Sequence, residues 1–160
     1  MGDDPRTETI LELASLRKFD LIDPNHVVRW ANEQLLQEPI PPPVIELATL
    51  DPPVRGHDVD SHLDELLRAI GQSPLDQEEA GLVITKRIAR EIVGGAREPA
   101  EGARMIWWDV LERVPSLEGR IGVFRGLGSE WEDDIENRPE YERDIIEASY
   151  HLLGISPHDE

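Results

Sequence analysis

The densest set of side chains able to do chemistry lies in HDVDSHLDE, where His57, Asp58, Asp60 and His62 bring two imidazoles and two carboxylates together within six residues. Imidazole nitrogens and carboxylate oxygens are ligands for zinc and other divalent ions, so His57, Asp58 and His62 form a candidate metal cluster. The stretch follows Asp51, Pro52, Pro53 and Gly56, a composition that predicts a loop over 55–60 and a helix capped by Asp60 or Ser61. On that reading the cluster is a solvated loop.

A second set of residues suits adhesion rather than catalysis. Glu130, Glu132, Asp133, Asp134 and Glu136 are followed by Glu140, Glu142, Asp144 and Glu147, with Arg138 and Arg143 as the only bases. The run lacks the alternating oxygen ligands and central glycine of an EF-hand, so calcium is not indicated. Trp131, Ile135 and Tyr141 give it the apolar and aromatic component of a protein-binding surface. Trp131, flanked by Glu130 and Asp134, is the expected contact. Trp108 is a second candidate, because neighbours on a helix diverge by about 100° and a single face does not bury both Trp107 and Trp108.

Other chemistries are disfavoured by what the chain lacks. Without cysteine there is no thiolate nucleophile, disulfide or cysteine-ligated metal. No nucleophile elbow, P-loop or dinucleotide fingerprint occurs, and the glycines of GVFRGLG lack the strand and lysine that phosphate binding needs. The order His26, His57–Asp58, Asp109 is similar to the metal-ligand order of the HD phosphohydrolase family, helical metalloenzymes that use a separate His, a His-Asp pair and a distant Asp. The resemblance implies metal-dependent hydrolysis. In that family the His-Asp pair lies within an apolar helix, whereas here it follows a proline-rich loop.

The elements that must position these groups read as helices. Helical spacing predicts helices over 7–18 and over 24–38, the latter capped by Asp23 with Pro24 in its first turn. PIPPP at 39–43 is a rigid corner before a short helix over 44–50, and 61–70 carries Leu63, Leu66, Leu67 and Ile70. Asp76 caps a helix running to Val93, ended by Gly94 and Gly95, with Lys86, Arg87 and Arg90 on its outer side for salt bridging. The 98–114 helix places Ala103, Ile106, Trp107, Val110, Leu111 and Val114 on a wide apolar face. Four glycines predict an irregular helix over 115–128, followed by separate helices over 129–137 and 139–153.

The sequence therefore predicts an all-α fold: a single compact domain over 1–160 of about seven or eight helices, with antiparallel pairs stacked like a short helical-repeat array. Thirty-four acids against 16 bases give a formal charge of −18, which disfavours direct nucleic-acid binding and favours a basic protein partner. Neither a signal peptide nor a membrane-spanning run is recognisable, so a cytoplasmic protein is expected.

A small, acidic, helical domain resembles, in type, bacterial toxin-neutralising immunity proteins and acidic inhibitors of nucleic-acid-binding proteins. The expectation is a non-catalytic, cofactor-free binding protein using Glu130, Trp131, Asp133, Asp134, Glu136 and Trp108. The alternatives are a metal-dependent hydrolase at His57, Asp58 and His62, or a structural adaptor; oligomeric state is left open.

Overall fold

The computed structural model describes residues 5–157, and among them the chain is all-α, with eight α-helices and no strand. Its packing divides it into two compact units, Met1–Ala80 and Gly81–Glu160.

The first unit contains α1 (Pro5–Lys18), α2 (Pro24–Gln34), α3 (Pro42–Ala48) and α4 (Gly56–Ala69). Helix α2 packs on α3, and both α1 and α3 pack on α4. Ile10 and Leu13, Val27 and Ala31, Val44 and Leu47, and Val59, Leu63, Leu66 and Leu67 close one aliphatic core. The carboxylate of Asp23 accepts from the Asn25 N–H at 2.8 Å, so the predicted cap of α2 is in place.

Several helix boundaries differ from the sequence expectation, three of them instructively. Helix α2 stops at Gln34 rather than 38, leaving Leu36 90% exposed, because a residue before proline disfavours the helical conformation and Pro39 lies just ahead. Helix α3 starts at Pro42, since prolines fit a first turn whose N–H groups need no intrahelical acceptor. Helix α4 begins at Gly56 instead of after Asp60, so His57 and Asp58 occupy its first turn and not a loop.

Arg17 explains the early start of α4. Its side chain is only 8% exposed, with Nε 3.0 Å from Asp60 Oδ1 and Nη1 donating to the Ile22 carbonyl at 2.7 Å. Asp60 is thus the counterion of a buried guanidinium and not a helix cap. A Cβ on Gly56 would lie 2.6 Å from Arg17 Nη2, so a larger residue there would have to shift a guanidinium held by Asp60 and the Ile22 carbonyl.

The division between the units falls within α5 (Gln77–Val93), whose predicted cap forms as the Asp76 carboxylate accepts from the Glu79 N–H at 2.8 Å. The helix ends as predicted, with Gly95 at φ +81. After α6 (Pro99–Met105) the backbone widens into a π-helical turn, Ile106–Leu111, then tightens into a 3-10 turn, Pro115–Leu117. Helix α7 (Glu118–Asp133) leads through a second 3-10 turn, Ile135–Asn137, to α8 (Arg138–Leu153).

Helix α7 runs unbroken through Gly119, Gly122, Gly126 and Gly128, so it is regular where irregularity was expected; burial of Ile121 and Phe124 outweighs the roughly 1 kcal/mol that each glycine costs. The separate helix expected over 129–137 is instead the end of α7 plus the 3-10 turn. Helix α6 packs on α7 and α8, and α7 on α8. A Cβ on Gly102 would lie 2.5 Å from Ile92 Cδ1, so α5 and α6 approach closely there, whereas one on Gly128 would make ordinary van der Waals contact with Ala103 Cβ at 3.6 Å.

Gly56→Ala should lower stability by about 1–3 kcal/mol through displacement of the buried guanidinium from Asp60. Urea unfolding of the two proteins measures this, and an equally or more stable variant would contradict the role given to Arg17.

Candidate functional site

The π-helical turn is the local feature that builds the site. A π-turn takes one more residue than an α-turn, and here the Glu112 N–H donates to the Trp107 carbonyl, five residues back, at 3.0 Å. The adjacent indoles of Trp107 and Trp108 stack, with centroids 4.7 Å apart and planes 20° from parallel. Trp107 is the inner ring, with its Nε1 donating to Glu112 at 3.1 Å. Trp108 is the outer ring and is 53% exposed.

Trp108 lines a groove of about 490 Å³ in the second unit, and Trp131 forms another part of its wall. The remaining lining is mostly acidic, from Glu98, Glu101, Asp109 and Glu142. The one base is Arg104, whose Nε lies 3.1 Å from Glu132. Glu101 pairs with Arg97 at 3.1 Å and Glu142 accepts from Trp131 Nε1 at 3.2 Å, while Glu98 and Asp109 have no cationic partner among the described residues. The groove thus combines an open aromatic face with uncompensated negative charge.

Trp131 plays a different part from the one expected of it. The Arg138 guanidinium lies over its ring, 3.9 Å from the centroid, and Arg138 Nε donates to its carbonyl at 2.9 Å. With its nitrogen bound to Glu142 as well, the ring is a fixed wall rather than a free contact.

The acidic residues singled out from the sequence also separate by role. Glu130, Asp133 and Glu136 are exposed, as are Glu132, Glu140, Asp144 and Glu147. Asp134 is half-buried and accepts from Asn137 Nδ2 and from the Tyr141 hydroxyl, both at 2.8 Å. Those bonds, from Asn137 first and Tyr141 second, hold the Asp134 carboxyl below its ordinary range. The same bond, with burial and the charges of Asp134, Glu130 and Glu140, pushes the Tyr141 phenol up to about 12.

The metal candidates behave differently again. His57 and Asp58 are exposed, and His62 is joined by neither. It meets Glu46 from α3 and Glu65 one turn along α4, with Nδ1 3.1 Å and 3.5 Å from their carboxylates. The three ligand atoms lie within 4.8 Å of one another. His62 Nδ1 is shielded from solvent and makes no hydrogen bond to either carboxylate, so the trio is a set of neighbouring ligand atoms without His57 or Asp58. Of the other residues in the phosphohydrolase-like order, His26 is exposed on α2 and Asp109 lines the groove. In the basic cluster, Arg87 pairs with Glu91 at 3.4 Å.

Sequence reasoning missed Glu98 and Glu101 and placed Asp109 only in a metal-ligand order, because the convergence of all three with Trp131 depends on the π-turn and on how α6 meets α7 and α8. Comparison with protein families, curated proteins and solved structures yields no match, so geometry alone carries the reading of the site. No described helix is long and apolar enough to cross a membrane.

The Asp134–Tyr141 bond makes a pH-dependent contribution with two edges. The raised phenol pKa contributes stability below the unfolded value near 10, lost as pH rises through about 12. The lowered carboxyl pKa contributes stability above the unfolded carboxylate range, lost as pH falls through the folded value. Ultraviolet titration of the two tyrosines, Tyr141 and Tyr150, should resolve one midpoint near 12 that returns towards 10 in Asp134→Asn. Two unchanged midpoints in the variant would remove Asp134 as the cause.

Proposed function

We propose that this chain is a non-catalytic acidic binding protein that covers a basic surface of a protein partner, as an immunity-type or nucleic-acid-mimicking inhibitor does. The observation that carries the proposal is the solvent-facing acidic band of Glu130, Glu132, Asp133, Glu136, Glu140 and Asp144, with Ile135 70% exposed within it. Carboxylates displayed in this way steer a cationic partner and raise its association rate, and an uncovered aliphatic side chain among them supplies contact area once the partner has docked. The half-exposed Trp108 supplies the kind of aromatic anchor that slows dissociation. In this reading the protein acts by occlusion, holds no cofactor, and meets its partner in a bacterial cytoplasm.

The band is separable from the residues that hold the fold. Asp134 and Glu142 anchor Tyr141 and Trp131, so they are not available for removal without structural cost. Glu130, Asp133 and Glu136 are exposed and suit neutral substitution.

The triple variant Glu130→Gln, Asp133→Asn, Glu136→Gln should associate several-fold more slowly with a synthetic 20-residue Lys/Arg peptide at low salt, and its rate should depend less steeply on ionic strength. Stopped-flow fluorescence measures both quantities. The matched variant Glu33→Gln, Glu38→Gln, Asp51→Asn removes the same charge from exposed positions of the first unit and should change the rate little. Equal effects of the two variants would show that net charge acts without a localised surface, and would overturn the proposal.

A further inference from the structure

We propose that the groove lined by Trp108 is a seat for one arginine side chain of the basic partner, with the guanidinium stacked on the open face of Trp108 and paired with Asp109 and Glu98. This inference rests on the reading of the chain as a binder of basic protein and names the chemistry of its anchor.

Trp108 has one face covered and one available. The Trp107 stack rigidifies the ring and leaves it 53% exposed. An indole face carries negative electrostatic potential and attracts a cation, most strongly where the surroundings are also acidic. Glu98, Glu101, Asp109 and Glu142 line the same groove as a single Arg104, and that arginine already pairs with Glu132. Glu98 and Asp109 carry charge without a cationic partner among the described residues. A cation entering the groove therefore meets both an aromatic face and unspent carboxylates.

The chain displays the same chemistry at Trp131, which lines the same groove. Arg138 lies over Trp131 at 3.9 Å while Trp131 Nε1 is bound to Glu142, so a guanidinium, an indole and a carboxylate already form one unit, of which the indole and the carboxylate line this groove. Trp108 with Asp109 and Glu98 repeats two of those three components and lacks the guanidinium.

Arginine fits better than lysine for physical reasons. Its planar guanidinium stacks on an aromatic ring, donates to carboxylates in a fork and gives up hydration more readily than a compact ammonium does. A groove of about 490 Å³ also accommodates the aliphatic stem of the side chain against Ala100 and Met105.

The test titrates the full chain at low salt with two nine-residue peptides, one alternating Arg and Gly, the other Lys and Gly, read by tryptophan fluorescence and calorimetry. The Arg peptide should bind several-fold more tightly than the Lys peptide. Trp108→Ala should weaken the Arg peptide about tenfold and abolish the difference between peptides, while Trp108→Phe should retain part of it. Asp109→Asn provides an independent variant that leaves the ring stack in place, and it should weaken the Arg peptide more than the Lys peptide. If Trp108→Ala binds both peptides as the parent does and binding still falls with salt, the arginine seat is wrong and the acidic-band reading stands. If neither peptide binds the parent at low salt, both are wrong.

Discussion

The constraint on which the structure depends is that 16 bases must serve 34 acids. Several of these bases hold structure together. Arg17 is buried between Asp60 and the Ile22 carbonyl, Arg97 bridges Glu91 and Glu101, Arg125 pairs with Glu118, and Arg138 covers Trp131. The remaining carboxylates must face water, because an unpaired charge in an aliphatic core would cost several kcal/mol. An exposed acidic surface thus follows from the composition, and the functional question becomes which part of it is shaped. In the second unit the shaping comes from aromatic rings set among the acids.

The π-helical turn links the fold to that surface. In a continuous α-helix the indoles of residues 107 and 108 diverge by about 100°, and one of them is driven away from the core as an isolated exposed ring. Within the π-turn the two rings are stacked, so Trp108 is presented on a rigid backing rather than as a loose side chain. A rigid aromatic loses less conformational entropy when a partner docks on it, which is why such residues concentrate binding energy. Ala103 and Gly128 meet where α6 packs on α7, and Trp131 of α7 lies in the same wall as Trp108.

Much of the fold was legible in the sequence where local chemistry decides the structure. Asp23 and Asp76 cap the helices that their spacing predicts, and Gly95 ends α5 with the positive φ that glycine tolerates. Legibility failed where distant contacts decide. Gly56 reads as a loop residue until Arg17 is seen to lie across it, and Asp60 reads as a cap or ligand until it is seen to neutralise that guanidinium. The glycines of α7 read as irregularity until the burial of Ile121 and Phe124 is known. Trp131 reads as a free contact until Arg138, displaced from it by seven residues, closes over the ring. No local pattern announces a π-turn, so the groove itself lay beyond sequence reasoning, although both tryptophans in its wall had been marked as contacts.

The four tryptophans make the central claim directly measurable, because each indole N–H gives its own signal in a nitrogen-15 correlation spectrum: Trp30 in the first unit and Trp107, Trp108 and Trp131 in the second. Titration with the Arg-Gly peptide at low salt should move the Trp108 signal most, move Trp131 less because its N–H is held by Glu142, and leave Trp30 in place. Small shifts spread evenly over all four indoles, or a largest shift at Trp30, would show that basic ligands sample the charge of the whole chain, and would contradict a binding surface built around Trp108.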